Sequence, residues 1–474
     1  MKGDRGLSKI INIKASEREL SILTHSLFSA WMLSFLFEGQ ILYYLADSHK
    51  FEPKFMIFSG AAAIFTGLLL FGLFIKTKKA AKKLFLFSYS FFIVISGVFF
   101  FPPSPLWIIG IIVASFLAGG CVAGWAFYLK DGTPKNQRIK TIADMLILSN
   151  LLMILNNMTA IHISPYVGLL LSTIMLLAAL LLALKLPEED SNSSLAVVEL
   201  KGEPIDTTNL LVFLYLFITI ITINSGLMYQ VVNPAFPDIE WLTSWYWAIP
   251  YITAVFVMKN LPQKTNRSYI LYVAIAMIGL SFIGFMGLKP GVLSYLILNT
   301  LMMGACGVYD LFWWSILGEM LELHHNPAKI LGIGLSANIL GILLGGILGG
   351  SIISSTTYSL NPTLLALTVV CVTLVLLPPL HKHLSLLLKD HAYLVGFAQL
   401  DEDEQINQIE GTAKFGKLSE RESQVAFLLL QGKTYRVIAK ELLISENTVK
   451  YYVKNIYYKF GINSRGELID IMQK

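Results

Sequence analysis

At 474 residues with 55% hydrophobic side chains, 14% charged ones and a mean hydropathy of +0.64, the chain is too apolar for an ordinary soluble protein, in which about a quarter of the residues carry charge. That composition puts a membrane protein first. The formal net charge of +5 is spread unevenly along the chain, and its distribution carries information of its own.

Apolar runs near the length a helix needs to cross roughly 30 Å of hydrocarbon occur twelve times before residue 381. They lie near 22–45, 55–75, 84–101, 106–129, 141–162, 165–186, 209–232, 242–258, 268–288, 292–317, 330–350 and 361–380. Ahead of them, residues 1–21 spread Lys2, Arg5, Lys9, Lys14 and Arg18 over a polar stretch with no small-residue cleavage site. This reads as a retained cytoplasmic tail. The loops on the side of that tail carry 20 Lys and Arg, and the opposite loops carry 3. By the positive-inside rule both termini face the cytoplasm. Cys121, Cys306 and Cys371 all fall inside apolar runs and read as packing residues.

Three carboxylates lie within predicted spans. An ionised group there costs at least a few kcal/mol unless it faces a polar cavity. Asp144 and Asp310 lie close to span ends and read equally well as interfacial residues. Glu38 is deep in the first span, with Gln40 beside it and Ser225 at the corresponding place in the second half. The candidate ligand set is Glu38, Gln40, Asn157, Asn224, Ser225, Tyr309, Asp310 and Trp313. For Asn156, Asn157, Asn224, Asn299 and Asn338, interhelical hydrogen bonds are an equal alternative. Tyr309, Trp313 and Trp314 suit a pocket wall, whereas Trp241, Trp245, Tyr246 and Trp247 suit an interfacial belt. Gly341, Gly345, Gly346, Gly349 and Gly350 give small-xxx-small spacings that allow close helix approach.

The spans divide into a first six-helix bundle (22–186), a polar central loop (187–208) and a second six-helix bundle (209–380). GGCVAGWAFY at 119–128 resembles MGACGVYDLFWW at 303–314, and FLFEGQILYYL at 35–45 resembles TINSGLMYQVV at 222–232, in each case six spans apart. The count and the repeat resemble the major facilitator architecture. The basic stretch GLFIKTKKAAKK at 72–83 departs from that family's Asp and paired-Arg loop, which leaves gating by that loop open.

Residues 381–415 form a cytoplasmic linker. HKHLSLLLKDHAYLVGF at 381–397 reads as an interfacial helix, and Asp401, Glu402, Asp403 and Glu404 make an acidic run. That run is a solvated spacer or a latch that competes with DNA. Neither His324-His325 nor His381-x-His383 has the spacing of a metal site.

From residue 416 to 474 the pattern changes to short amphipathic helices. Ser419 caps the first, with Glu422 completing a capping box, and Gly432 ends it. Thr434 caps a second helix running through Leu443. Ile444-Ser445 forms a turn, and Ser445 caps a third helix. There Val449, Val453, Ile456 and Phe460 make a buried stripe, while Asn447, Lys450, Tyr451, Lys454 and Tyr458 lie on the other side. This is the layout of a helix-turn-helix whose second helix enters the major groove. With 10 Lys and Arg against 6 Asp and Glu, the segment favours phosphate contact.

The stretches LSERE (418–422), QGKT (431–434), IAKEL (438–442), ISENTVK (444–450) and KFGINSR (459–465) resemble the DNA-binding domain of the LuxR/NarL family of bacterial regulators. That resemblance implies that Lys450, Tyr451 and Lys454 face the groove and that Lys433, Thr434 and Arg465 touch phosphates. Ser445, Asn447 and Thr448 complete the candidate DNA-binding set. It also implies that a fourth helix, Arg465 to Met472, helps to pair two subunits. Tyr451 and Tyr452 replace the smaller or His residues common at those positions, so base preference does not carry over. A basic bundle lying on anionic lipid is the alternative, but it has no need of the Ser-Glu-Asn-Thr-Val-Lys turn or of Gly461.

The expected fold is therefore all-α: a twelve-helix, major-facilitator-like bundle followed by a four-helix LuxR-type domain. No catalytic motif, cofactor loop or metal spacing is present. The whole resembles membrane-spanning LuxR-type transcription regulators. Its expected partners are the lipid bilayer, a small-molecule ligand, double-stranded DNA with palindromic half-sites, and a second copy of the chain. A secondary transporter with an appended regulatory tail, proton-coupled through Glu38, is the alternative. A constitutive regulator merely anchored by its bundle is the third.

Overall fold

Local capping starts the first span. The hydroxyl of Ser16 accepts the Glu19 backbone N–H and the Glu19 carboxylate accepts the Ser16 N–H, opening helix α1 (Glu17–Trp31). A computed structural model describes residues 16–37, 39–134, 137–189, 208–228, 232, 235–261, 267–321, 326–354, 363–380, 418–431, 433, 435–462 and 465–472. The first span differs from the continuous helix expected. After α1 comes a π-helical turn, Met32–Leu36, and α2 (Gln40–Ser48) resumes only after Gly39. A Cβ at Gly39 would lie 2.0 Å from the Ser34 carbonyl, so only glycine admits this fold-back. Glu38, inside the break, is outside the described residues.

The first half continues with α3 (Lys54–Phe74), α4 (Lys78–Val98), α5 (Pro105–Gly132), α6 (Arg138–His162) and α7 (Pro165–Lys185). Pro105 and Pro165 sit at the first helical turn, where a missing N–H is harmless. The second half comprises α8 (Thr208–Leu227), a short α9 (Glu240–Thr243), α10 (Ala248–Lys259), α11 (Arg267–Gly287), α12 (Val292–Met320), α13 (Pro327–Ser354) and α14 (Thr363–Leu380). Ten described helical stretches are long and apolar enough to cross a membrane, α1 and α2 counting as one. The apolar part of α8, Leu211–Leu227, is shorter, and α10 has 12 residues. The expected eighth span, 242–258, is thus broken. Pro250 has no N–H to bond backwards, and it falls in the first turn of a helix that starts at Ala248.

Glycines set the helix crossings. A Cβ at Gly67 would meet the Phe116 carbonyl oxygen at 2.1 Å, and one at Gly119 the Ile64 oxygen at 2.5 Å, so α3 and α5 touch backbone to backbone. Gly345 stands likewise against the Ile223 oxygen at 2.2 Å, joining α8 to α13. Among the described residues the halves meet where α3 and α5 pack on α13 and where α6 packs on α10 and α12; the α3–α13 and α6–α10 joints show the relation between the halves. Counted as spans these are 2 with 11 and 5 with 8, so exchanging the halves carries one joint onto the other. That is the pseudo-two-fold relation the sequence repeat suggested.

Two compact units divide the chain: Met1–Asp190 with Phe213–Leu376, and Ser191–Val212 with Leu377–Lys474. Within the second, the head consists of α15 (Glu420–Leu430), α16 (Tyr435–Glu441), α17 (Glu446–Phe460) and α18 (Arg465–Met472). Its core is apolar, with Val425, Leu429, Ile438, Val449, Val453, Ile456, Leu468 and Ile469 all buried. The second head helix stops at Glu441, two residues before the expected Leu443. Leu443 turns left-handed (φ 52°), and the Ile444 N–H bonds back to the Ala439 oxygen at 2.9 Å. The acidic run 401–404 and the segment 381–397 lie outside the described residues, as do Thr434, Gly432 and the histidines at 324, 325, 381 and 383.

Candidate nucleic-acid interface and candidate ligand cavity

The head presents one polar helix face. On α17 the hydroxyl of Ser445 accepts the Thr448 backbone N–H at 3.1 Å and pairs with the Thr448 hydroxyl at 2.7 Å, so both residues fix the helix start. Gly461 ends it in the left-handed conformation (φ 65°). Between these caps Val449, Val453 and Ile456 face inward, while Asn447, Lys450, Tyr451, Lys454 and Tyr458 are all exposed. Tyr451 and Tyr458 are 62% and 87% exposed, which is unusual for side chains that hold so much apolar surface unless a partner covers them. Lys450 lies 3.5 Å from Glu446 one turn away, an exposed pair of little stabilising value.

Lys433 and Arg465 come together although 32 residues separate them. The Arg465 guanidinium donates to the Lys433 backbone oxygen at 2.7 Å, and the Lys433 ammonium sits 2.6 Å from Glu441. A third contact braces the recognition helix from behind, Lys459 to the buried Glu422 at 2.6 Å. Burial alone would raise the Glu422 carboxyl. The Lys459 ammonium and the Ser419 backbone N–H, at 2.7 Å, outweigh it and hold the group below the usual carboxylate range.

The bundle encloses a cavity of about 970 Å³, at the upper end of the range typical for small-molecule sites. It reaches from His25 and Trp314 to Asp47 and Phe51 at the opposite end. Six predicted ligand residues line it: Gln40, Asn157, Ser225, Tyr309, Asp310 and Trp313. Asn224 does not. It is buried without a hydrogen-bond partner outside the wall, because its helix turns Ser225 rather than Asn224 toward the space. Asp310 is in the wall, where its carboxylate accepts the Tyr251 hydroxyl at 2.7 Å. The sequence did not single out Tyr251 or His25, since an isolated polar tip in an apolar run gives no periodic signal. Asn156 takes the alternative role, donating to the Ser34 hydroxyl at 3.2 Å.

Asp144 has a different place. It accepts the Arg18 guanidinium at 2.8 Å and bonds Lys259, so one carboxylate ties α1, α6 and α10 together. At the same end the buried Arg138 donates to the carbonyls of Gly318 and Lys130, both at 3.1 Å. Lys78, 1% exposed, pairs with Glu17 at 2.5 Å and with Asp131 at 3.3 Å. This end of the bundle is closed by bonds between the halves.

A multi-pass helical membrane bundle fused to a helix-turn-helix domain is the class these features define. The model of the luxR family of bacterial regulatory proteins matches residues 416–472. Spore germination protein GerE of Bacillus subtilis (strain 168) is 42% identical over 52 residues, which cover 11% of this chain and 70% of that protein. By its head, the chain belongs to the luxR family of bacterial regulatory proteins. The bundle is similar to the crystal structure of the human organic anion transporter MFSD10 (TETRAN), with a TM-score of 0.58 at 13% identity over 76% of this chain and 98% of that one. It is also similar to the major facilitator superfamily proton:xylose symporter XylE bound to 6-bromo-6-deoxy-D-glucose, with a TM-score of 0.59 at 14% identity over 78% and 95%. At those identities the likeness concerns the fold, which is that of the major facilitator superfamily.

Proposed function

We propose that this chain is a one-component transcription regulator of the bacterial cytoplasmic membrane, whose bundle binds a small molecule and thereby controls DNA binding by the head. The observation that carries the reading is the pairing, in one polypeptide, of a polar-walled cavity with an exposed Lys-Tyr-Lys helix face of luxR type. Lys450, Tyr451 and Lys454 read bases, with Asn447 at the same face, and Ser445 and Thr448 hold the helix start. Lys433, Thr434 and Arg465 grip phosphates. Both termini face the cytoplasm, a placement supported by the excess of Lys and Arg on that side. Two heads pair on palindromic half-sites about one helical turn apart. For control, the ligand must bind one bundle conformation more tightly than another, and a coupling of about 1–3 kcal/mol is typical.

The test uses full-length protein in nanodiscs and the DNA it occupies in cells. Replacing Lys450 and Lys454 by Ala removes promoter protection and leaves membrane insertion unchanged; retained protection rejects the DNA-reading assignment. The small-molecule fraction of spent culture medium changes protection by the wild type but not by Asn338→Trp, which fills the cavity. Equal responses reject sensing through the cavity.

The membrane-embedded carboxylate Asp310 supports a second reading, a secondary transporter with a regulatory tail. Proteoliposome uptake that depends on Asp310 or Glu38 would favour transport. Saturable binding without flux favours the sensor.

A further inference from the structure

The walls of the cavity are unbalanced in charge. Among the described residues, Asp310 and Asp47 line it and no Lys or Arg does. Three of the bundle's cations are instead engaged at the closed end, Arg18 and Lys259 on Asp144 and Lys78 on Glu17 and Asp131. Asp310 has the Tyr251 hydroxyl for a partner and forms no ion pair with a described residue. A carboxylate in a low-dielectric cavity with one neutral hydrogen bond is poorly compensated, and a cation brought by a ligand would compensate it.

A second, independent observation points the same way. Asn157 and Asn299 stand in the wall, 3% and 6% exposed, and each leaves its side-chain carbonyl oxygen without a hydrogen-bond partner. Buried acceptors without donors are rare and call for an explanation. Two such oxygens and a carboxylate ask for N–H donors; the Trp313 indole N–H and the His25 ring nitrogens, also in the wall and likewise unpartnered, are left to meet acceptor groups of the same ligand. Aromatic residues of the same helix share the wall with Asp310, as do Cys306 and Ser225. Tyr309 and Trp313, on either side of it in sequence, stack with ring centroids 5.9 Å apart, and Trp314 follows at the next position. Aromatic faces attract cations and accept flat apolar groups.

We infer that the cavity takes an organic ammonium compound with an aromatic or other flat apolar part, its charge at Asp310 and its ring against Tyr309 and Trp313. This rests on the reading of the cavity as a small-molecule receptor and narrows it to one ligand class.

Three probes of one skeleton test it on full-length protein in nanodiscs by equilibrium dialysis: 2-phenylethylamine, 2-phenylethanol and 3-phenylpropanoate. The amine binds saturably and at least tenfold more tightly than the alcohol or the acid. Asp310→Asn weakens the amine at least tenfold and leaves the alcohol within threefold, whereas Asp310→Glu, which keeps the charge, retains the preference. Unfolding midpoints show whether each variant is folded, and the wild-type preference among the probes needs no variant at all. Equal or tighter binding of the acid or the alcohol overturns the inference and leaves the receptor reading intact. Absence of binding by all three also overturns it; the receptor reading then stands or falls on the Asn338→Trp protection experiment.

Discussion

The bundle and the head solve opposite problems with the same element. In the bundle, large apolar side chains such as Phe74, Val94 and Val375 are more than 70% exposed, while Asn156, Ser34 and Lys78 are buried. In the head the apolar residues are inside, and the large exposed ones among the described residues are Tyr451 and Tyr458 of α17 and Leu443. Water drives the head together through its apolar stripe. In lipid that drive between helices is absent, so the bundle depends on backbone contact at small residues and on buried polar bonds. The two regions should therefore fail under different substitutions.

The largest contrast is expected at neighbouring glycines of α13. A Cβ at Gly345 would lie 2.2 Å from the Ile223 carbonyl, where only the backbone of α8 can give way; a Cβ at Gly346 meets nothing within 4 Å. Gly345→Ala is expected to destabilise the bundle by about 1–3 kcal/mol. Gly346→Ala is expected to be neutral or stabilising by about 0.5–1 kcal/mol. Thermal unfolding in nanodiscs measures both. Equal midpoints would mean that backbone contact does not hold this joint.

In the head the comparable element is charged. Glu422 is 4% exposed and holds both Lys459 and the Ser419 N–H. Replacing it by Ala is expected to cost about 1.5–3 kcal/mol, the range for hydrogen bonds to a charged group. Its pH dependence has a definite sign. A carboxyl held below its unfolded value contributes stability that is fully present above the ordinary carboxylate pKa and is lost as pH falls through the lowered folded value. Hydrogen exchange of α15 and α17 amides in the full chain should accelerate below that range, and Glu422→Gln should flatten the response. An unchanged profile in the variant would assign the acid sensitivity elsewhere.

The same contrast explains what could be read in advance. Head elements announce themselves because each rests on a local residue: Ser419 with Glu422, Ser445 with Thr448, and Gly461 at φ 65°. The Val449, Val453, Ile456 stripe then orients α17. Most spans were legible from apolar run length: of the twelve expected, ten appear as described stretches long and apolar enough to cross a membrane. Inside a span the pattern is silent, because lipid-facing and core-facing positions are both apolar. So the break at Met32–Leu36 and the partnership of Tyr251 with Asp310 became visible only in three dimensions. Asn224 and Ser225 show the limit: adjacent polar residues, with only the second in the cavity wall. Asp144 was ambiguous for another reason, since its partners Arg18 and Lys259 lie 126 and 115 residues away.

The smallest effect concerns two left-handed residues that frame α17. Gly461 at φ 65° adopts a conformation natural to glycine, whereas Leu443 at φ 52° adopts one that costs a side-chain-bearing residue about 1–2 kcal/mol. Leu443 is 92% exposed, so its side chain returns little by burial. Leu443→Gly removes that strain but frees the unfolded chain, a loss of about 0.5–1 kcal/mol. The balance is a net gain of roughly 0–1.5 kcal/mol in head stability. Gly461→Ala, with no such release, should lose about 1 kcal/mol. Protease sensitivity of the head in the full chain orders the three proteins. If Leu443→Gly instead weakens DNA protection while leaving protease resistance unchanged, the exposed leucine serves a surface contact, and the strained turn is kept for that contact rather than tolerated.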